Sequence, residues 1–308
     1  MQIVPTSQEQ LSEGLAKANA RSEKVESIDL GSLNRVIEYC PEDLTVTVQA
    51  GETLAALQAH LAQRGQWLPI DPPRADTLTI WDVLKFNLSG PRRYGFGTIR
   101  EHLIGLKVIL PDGRLVKSGG KVVKNVAGYD LLKLFVGDRG TLGVAVEASF
   151  KVRPLPDSER FVENHFTTLA AAGAAIDSVL DSPLAPIVLD LHGSPTSVHL
   201  ILGFSGTAEE VAWSVDQAAK LGIDKPCTLA YSTEGDSRTE HHISVLPSRL
   251  VETLQRLSPT AFVCRAGNGI IYYRGKADEP SSMSLPLELM RRLKDTFDPR
   301  HILPEFPI

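Results

Sequence analysis

Gly119 to Val144 reads GGKVVKNVAGYDLLKLFVGDRGTLGV. Its glycines bracket a short helix, expected over Tyr129 to Phe135, and the start of a strong strand over Val144 to Val152. Glycine lets backbone approach a ligand closely or adopt positive φ. Successive amides in such turns form a concavity that accepts anions, and Lys121 and Lys124 add charge beside it. A single glycine here would mean only a tight helix–strand junction; the whole string points to a bound ligand.

Charge supports that reading. The chain carries 32 Lys and Arg against 37 Asp and Glu, a formal net charge of −5, which argues against a general nucleic-acid coat. The span from Lys85 to Lys133 is nevertheless +7 and rich in glycine, leaving −12 for the remainder. A local basic segment in an acidic protein suggests a small bound anion such as a phosphorylated cofactor; solvated strand faces explain the charge alone equally well.

Around this segment the elements follow from pattern. A capping-box start at Thr6–Gln10 opens a helix with Leu11, Leu15 and Ala18 on one face. Arg35–Tyr39 and Leu44–Ala50 read as strands about a Pro41-Glu42-Asp43 turn, and a helix with Leu54, Leu57 and Leu61 stops at Gly65. Gly105–Leu110 and Leu115–Ser118 form a hairpin about Pro111-Asp112-Gly113. Pro154 and Pro156 mark a boundary. Beyond them, strands at 160–166, 187–191, 197–204, 242–246 and 270–273 alternate with helices at 169–180, 208–221 and 248–257. This predicts a small α+β domain with helices on one face of an antiparallel sheet. A tail helix over 285–297 is expected to dock back on the first domain. The expected division is therefore 1–155, 156–284 and 285–308.

At 308 residues with 43% hydrophobic and 22% charged residues the chain is an ordinary globular protein of about two domains. Cys40, Cys227 and Cys264 are too scattered for a disulfide framework or thiolate zinc cluster. The first residues lack a cationic and apolar leader, and the most apolar segments are cut by Asp177, Asp190 or His192. The expectation is a cytoplasmic protein, peripheral at the inner membrane only through partners. Gly95-Phe96-Gly97 is followed by Arg100 where a dinucleotide fingerprint needs glycine, and Gly119-Gly120-Lys121 lacks a Walker frame. His241 and His242 are adjacent, so on a strand they face opposite ways.

Two stretches, Gly119–Val144 and NLSGPRRYGFGTIREHLIGLKVILPDG (Asn87–Gly113), resemble the vanillyl-alcohol-oxidase, or PCMH-type, FAD-binding flavoproteins. Within that family they are most similar to the glycolate oxidase FAD-binding subunit, the GlcE type. Leu44–Pro73, Cys264–Tyr273 and Leu293–Pro304 fit the same pattern. The resemblance implies an α+β fold: a two-lobed FAD domain with a smaller, ferredoxin-like cap. It implies FAD as cofactor, which would perform the hydride step while the protein supplies placement and electrostatics. By position, Asn87, Ser89, Gly90, Arg92, Gly97, Lys124, Gly128, Tyr129, Gly140, Thr141 and Gly143 would line or support the flavin. Arg93, Arg265 and Arg274 are candidates for a substrate carboxylate, since guanidinium gives a bidentate fork. His192, His241 and His242 are weak candidates for a base, and Asn268 reads as a turn residue. Implied partners are a catalytic flavin subunit, an iron–sulfur subunit and a small 2-hydroxy acid such as glycolate, oxidised to glyoxylate; no metal is expected.

Two departures from the family set a further expectation. The glycine-rich loop that holds the FAD diphosphate is absent between the first helix and Leu30, and the first strand is expected to be missing; an altered or incomplete gene would read the same way. Where the family has a paired glycine before the asparagine, this chain has Trp81-Asp82. Losing three charge-assisted bonds of about 1.5–3 kcal/mol each weakens binding by roughly 10³-fold or more. The expectation is a glycolate oxidase-type subunit whose own flavin site is degraded or, as the alternative, a flavin-free scaffold for the other subunits.

Overall fold

The computed structural model describes residues 1–120, 132–194, 197–229, 241–276 and 287–306. Its first part contains β1 (Gln2–Ile3), α1 (Gln8–Arg21), β2 (Ser27–Ile28), β3 (Val36–Cys40), β4 (Thr45–Gln49), α2 (Leu54–Ala62), β5 (Gln66–Trp67) and α3 (Ile80–Lys85). It continues through α4 (Arg93–Phe96), α5 (Ile99–His102), β6 (Leu103–Ile109), β7 (Leu115–Gly119), α6 (Leu132–Phe135), β8 (Val144–Lys151) and β9 (Arg153–Pro154). The second part contains β10 (Ser158–Phe166), α7 (Leu169–Leu180), β11 (Val188–Ser194), β12 (Ser197–Gly206), α8 (Ala208–Lys220) and β13 (Lys225–Cys227). After β14 (His241–Ser244) come α9 (Leu250–Leu257), β15 (Ala261–Arg265), β16 (Ile270–Arg274) and α10 (Leu287–Phe297).

The first core is built on a five-stranded sheet ordered β3-β4-β8-β6-β7. Alternation in Thr45–Gln49 sends Val46 and Val48 inward against Phe150 and Val146 of β8. α1 begins where the capping pattern predicts, with the Ser7 hydroxyl accepting from the Gln10 amide. Its Leu11 and Leu15 are fully buried in the same hydrophobic cluster as the sheet, and Ser12 Oγ donates to the carbonyl of Gly113 at the β6–β7 turn. The first strand is shortened rather than missing: Gln2–Ile3 pairs in parallel with Ser27–Ile28. Two residues carry too little pattern for sequence to mark a strand.

The second core lies between a seven-stranded sheet, ordered β13-β10-β12-β11-β15-β16-β14, and the helices α7, α8 and α9. Its first four strands have the 4-1-3-2 order of a ferredoxin-like βαββαβ unit, which β15, β16 and β14 extend. Sequence pattern missed β13, where Pro226 argues against a strand, and β15, whose five residues are too few to stand out. Even-numbered β12 residues (Val198, Leu200, Leu202, Phe204) enter this core; His199 and Ile201 therefore face the opposite side.

Three buried ionisable groups tie the tail and a turn together. Lys294 of α10, 1% exposed, donates to Asp298 (2.7 Å) and to the carbonyls of Thr141, Leu303 and Pro304. Asp298 also accepts from the amides of Ile302 and Leu303. Asp138, also buried, accepts from the amides of Gly140 (2.9 Å) and Leu142 (3.3 Å). Burial pushes the Asp138 carboxyl up to about 7, against the pull of those amides and of Lys294 and Lys85.

Two outcomes are expected. Lys294→Met leaves Asp298 buried without its cation and should cost about 3–5 kcal/mol in denaturant unfolding. Because Asp138 binds its proton more tightly folded than unfolded, stability should fall as pH rises from about 4 to about 7. Asp138→Asn should remove that component from thermal midpoints measured across the range.

Candidate functional site

Thr79 caps α3, and the six residues that follow carry Trp81 and Asp82 on the first turn. The capping box is complete: Asp82 Oδ2 accepts from the Thr79 amide (3.0 Å) and the Asp82 amide donates back to Thr79 Oγ1 (3.1 Å). The Ile80 and Trp81 amides donate to the carbonyls of Glu52 and Ala50, each at 2.8 Å. Lys85 Nζ pairs with Asp82 Oδ1 at 2.8 Å and lies 4.3 Å from the Trp81 ring centroid. Burial opposes the Asp82 charge, yet Lys85 and Thr79 hold its carboxyl below the usual range.

The turn after α6 is closed in the same manner. The amides of Gly140 and Leu142 donate to the Asp138 carboxylate, that of Thr141 to the Asp138 carbonyl, and those of Gly137 and Arg139 to the carbonyls of Leu84 and Lys85. Gly140 adopts φ +72, and a Cβ there would sit 3.5 Å from Trp81, so the two turns face each other. Asp138 escaped the sequence reading. Its signal is the Asp138-Arg139-Gly140 spacing, at which an aspartate bonds the amide two residues on.

The remaining sequence-predicted residues fall into two groups that share Gly90. Gly90, at φ +83, lies against the backbone of Asp71, where a Cβ would approach within 2.3 Å. Gly97 sits beside Glu101, Gly143 beside Val108, and Thr141 Oγ1 donates to the Asp138 carbonyl. Arg92 is committed elsewhere: it bridges Asp71 (2.6 Å) and Glu159 of β10 (2.9 Å from Nε), with Trp67 and Phe161 beside its guanidinium. These residues pack the chain against itself. Lys124, Gly128 and Tyr129 lie outside the described residues.

The second group meets at a cavity of about 90 Å³ on the seam between the two cores. Asn87, Ser89, Gly90 and Arg93 line it from one side, Arg265 and Tyr272 from the other. Asn87, at φ +50, keeps a buried Oδ1 without a hydrogen-bond partner. Arg265 is 3% exposed and pairs with Asp190 at 2.6 Å. Arg274, at the end of β16, is exposed and does not line the cavity. His192 lies 3.7 Å from Asp190, while His241 meets Tyr273 at a tilt and His242 stacks on Tyr272 on the opposite face of the sheet. Asn268 sits in the 3₁₀ turn between β15 and β16. A larger open groove of about 580 Å³, over Leu54, Trp67 and Pro72, takes only Arg92 from the predicted set.

The basic character of 85–133 is answered in part from within the chain. Lys85, Arg92, Lys107 and Arg114 each pair with a carboxylate. The expected excess of free cations over a bound anion is smaller than the sequence suggests.

Residues 11–119 match the model of an FAD binding domain. The chain is 34% identical over 270 residues to glycolate oxidase subunit GlcD of Bacillus subtilis, covering 86% of this chain and 52% of that protein. It is 38% identical over 132 residues to glycolate oxidase subunit GlcE of Escherichia coli, covering 42% of this chain and 38% of that protein. A cytochrome D-lactate dehydrogenase of Saccharomyces cerevisiae is 35% identical over 158 residues, 51% of this chain and 26% of the enzyme. The chain thus spans about half, or less, of the length of these relatives. Among solved structures, an alkyldihydroxyacetonephosphate synthase superposes with TM-score 0.73 at 18% identity, over 98% of this chain and 75% of that one, a likeness of fold.

FAD is the cofactor of the matched domain type. The orphaned Asn87 Oδ1 suits the polar edge of a ring, but a cavity of about 90 Å³ is small beside the roughly 300 Å³ or more of ordinary ligand pockets. Helix α3 and the 137–142 turn spend their amides on the chain's own oxygens. Among the described residues, these amides are therefore not open to an FAD diphosphate in this conformation. By its FAD binding domain match over 11–119 and by its relatives, the chain is similar to the PCMH-type FAD-binding flavoproteins and is GlcE-like.

Proposed function

We propose that the chain is the FAD-binding-type subunit of a glycolate oxidase-type complex, that its own flavin site has degraded, and that it works by association with a catalytic flavin subunit and an iron–sulfur subunit. The likeness to both GlcD and GlcE supports the membership. The observation that carries the degraded site is the pair of internal carboxylates, Asp82 and Asp138, seated on the amides of two facing turns. An added diphosphate would meet the like charge of Asp82 there and, above about pH 7, that of Asp138. In the assembled complex the substrate is a small 2-hydroxy acid, glycolate, converted to glyoxylate; Arg93 and Arg265, on the seam cavity, and Arg274 are the guanidinium groups offered to its carboxylate. The proposed division of labour follows the chain: an FAD-type domain over 1–155, a cap over 156–284, and a tail over 285–308 returning to the first domain. No helix among the described residues is long and apolar enough to cross a membrane; the proposed place is the cytoplasm, with membrane contact through partners alone.

A second reading, a flavin-free scaffold, is favoured by the engagement of Arg92 with Asp71 and Glu159, which turns a residue expected at the flavin into a link between the two halves. Titration of the purified chain with FAD, followed by flavin fluorescence, is expected to give micromolar or weaker affinity, about 10³-fold below a nanomolar flavoprotein. Tightly bound flavin that survives purification at one per chain would overturn the degraded site. The complex purified through a tag on this chain separates the two readings. Flavin beyond the catalytic subunit's own, lost on substituting Asn87→Leu in this chain, supports the first reading as a weakened site completed by its partners, and a flavin content unchanged by the substitution supports the scaffold. Absence of any partner in that purification would refute both.

A further inference from the structure

β10 and β12 are antiparallel neighbours with His165 directly opposite His199. Residues opposite each other share a face of the sheet, as do residues two apart on one strand. Glu163, His165 and His199 therefore project together from the side away from α7 and α8, since Val162, Val198 and Leu200 fill the helix-covered side. Glu163 turns one oxygen to each ring: Oε1 lies 3.2 Å from His165 Nε2 and Oε2 lies 3.6 Å from His199 Nδ1. The two imidazole centroids are 3.8 Å apart, and one potential ligand atom from each of the three residues falls within 4.8 Å of the others.

Hydrogen bonding from a neutral N–H of each ring accounts for the two contacts one at a time. A divalent cation accounts for the convergence of all three groups, because neutral imidazole ligates through nitrogen and the carboxylate supplies an oxygen and a charge. Ligand bonds of 2.0–2.2 Å set tetrahedral ligand atoms about 3.4 Å apart. The approaches of His165 and His199 to Glu163, 3.2 and 3.6 Å, are close to this but use different carboxylate oxygens, so one ion takes both oxygens or a small turn of the carboxylate; His165, whose side chain is 46% exposed, has room to adjust. Two nitrogens and one carboxylate suit a borderline ion of the zinc type; magnesium and calcium prefer all-oxygen shells. Three protein ligands leave a fourth position, on the solvent side of His165, for water or an anionic ligand.

We propose that Glu163, His165 and His199 form a divalent transition-metal site on the outward face of the seven-stranded sheet. It is independent of the flavin and of the glycolate oxidase reading. The test uses the full chain without a histidine tag, stripped with chelator and titrated with Zn²⁺ by calorimetry, and with Co²⁺ followed by visible absorption. One ion per chain is expected, with affinity falling at least about tenfold in His199→Ala and in Glu163→Gln, and unchanged in His60→Ala on the remote helix α2. Circular dichroism checks that each variant is folded, and Glu163→Gln, which keeps shape and size, stands in should a histidine variant unfold. Failure of the wild-type chain to bind stoichiometrically, or equal binding by His165→Ala/His199→Ala, would overturn the site.

Discussion

Backbone amides at the start of a helix or in a glycine turn must find acceptors, and in this chain two of the acceptors are its own carboxylates. Asp82 closes the first turn of α3 and Asp138 closes the turn before β8. The consequence reaches beyond local structure. A carboxylate held on amides offers the same oxygens a phosphate would, so the turns keep the geometry of an anion-binding loop with the anion supplied internally. Trp81 between them and Lys85 across the Trp81 ring fill the remaining space.

The same economy of charge governs the seam. Arg92 joins Asp71 of the proline-rich bend to Glu159 of β10, and Arg265 is neutralised by Asp190 beneath the cavity. Arg265 is buried and Arg92 half-buried, each with a hydrogen-bonded partner, the condition under which burial of charge is tolerated. Lys294 does likewise for the tail, drawing three carbonyls and Asp298 to one ammonium. Cations that in sequence look available for a ligand thus hold the two cores and the tail together.

Much of the architecture was legible because it rests on repetition. Alternation in Thr45–Gln49, the leucine spacing of α2 and the capping pattern at the start of α1 each mark an element at its own position. The helix-on-sheet layout of the second core follows from the order of its strands and helices. What escaped was short or non-local: a parallel pair of two residues, the proline-containing β13, and β15. Asp138 announced its turn only through a spacing of two, a signal shared with many surface loops. Glu163, His165 and His199 carried no motif at all, because 33 positions separate His165 from its opposite, His199, and register alone joins them.

From residues alone came the family, the fold class, the unusual Trp81-Asp82 and the expectation of a weakened cofactor site, since each depends on side chains near one another along the chain. Which arginines are spent, where the amides point and which histidines meet depended on strand register and on packing between the two halves. Those are settled by contacts between distant segments, where burial selects a partner for every charge and no local pattern names it.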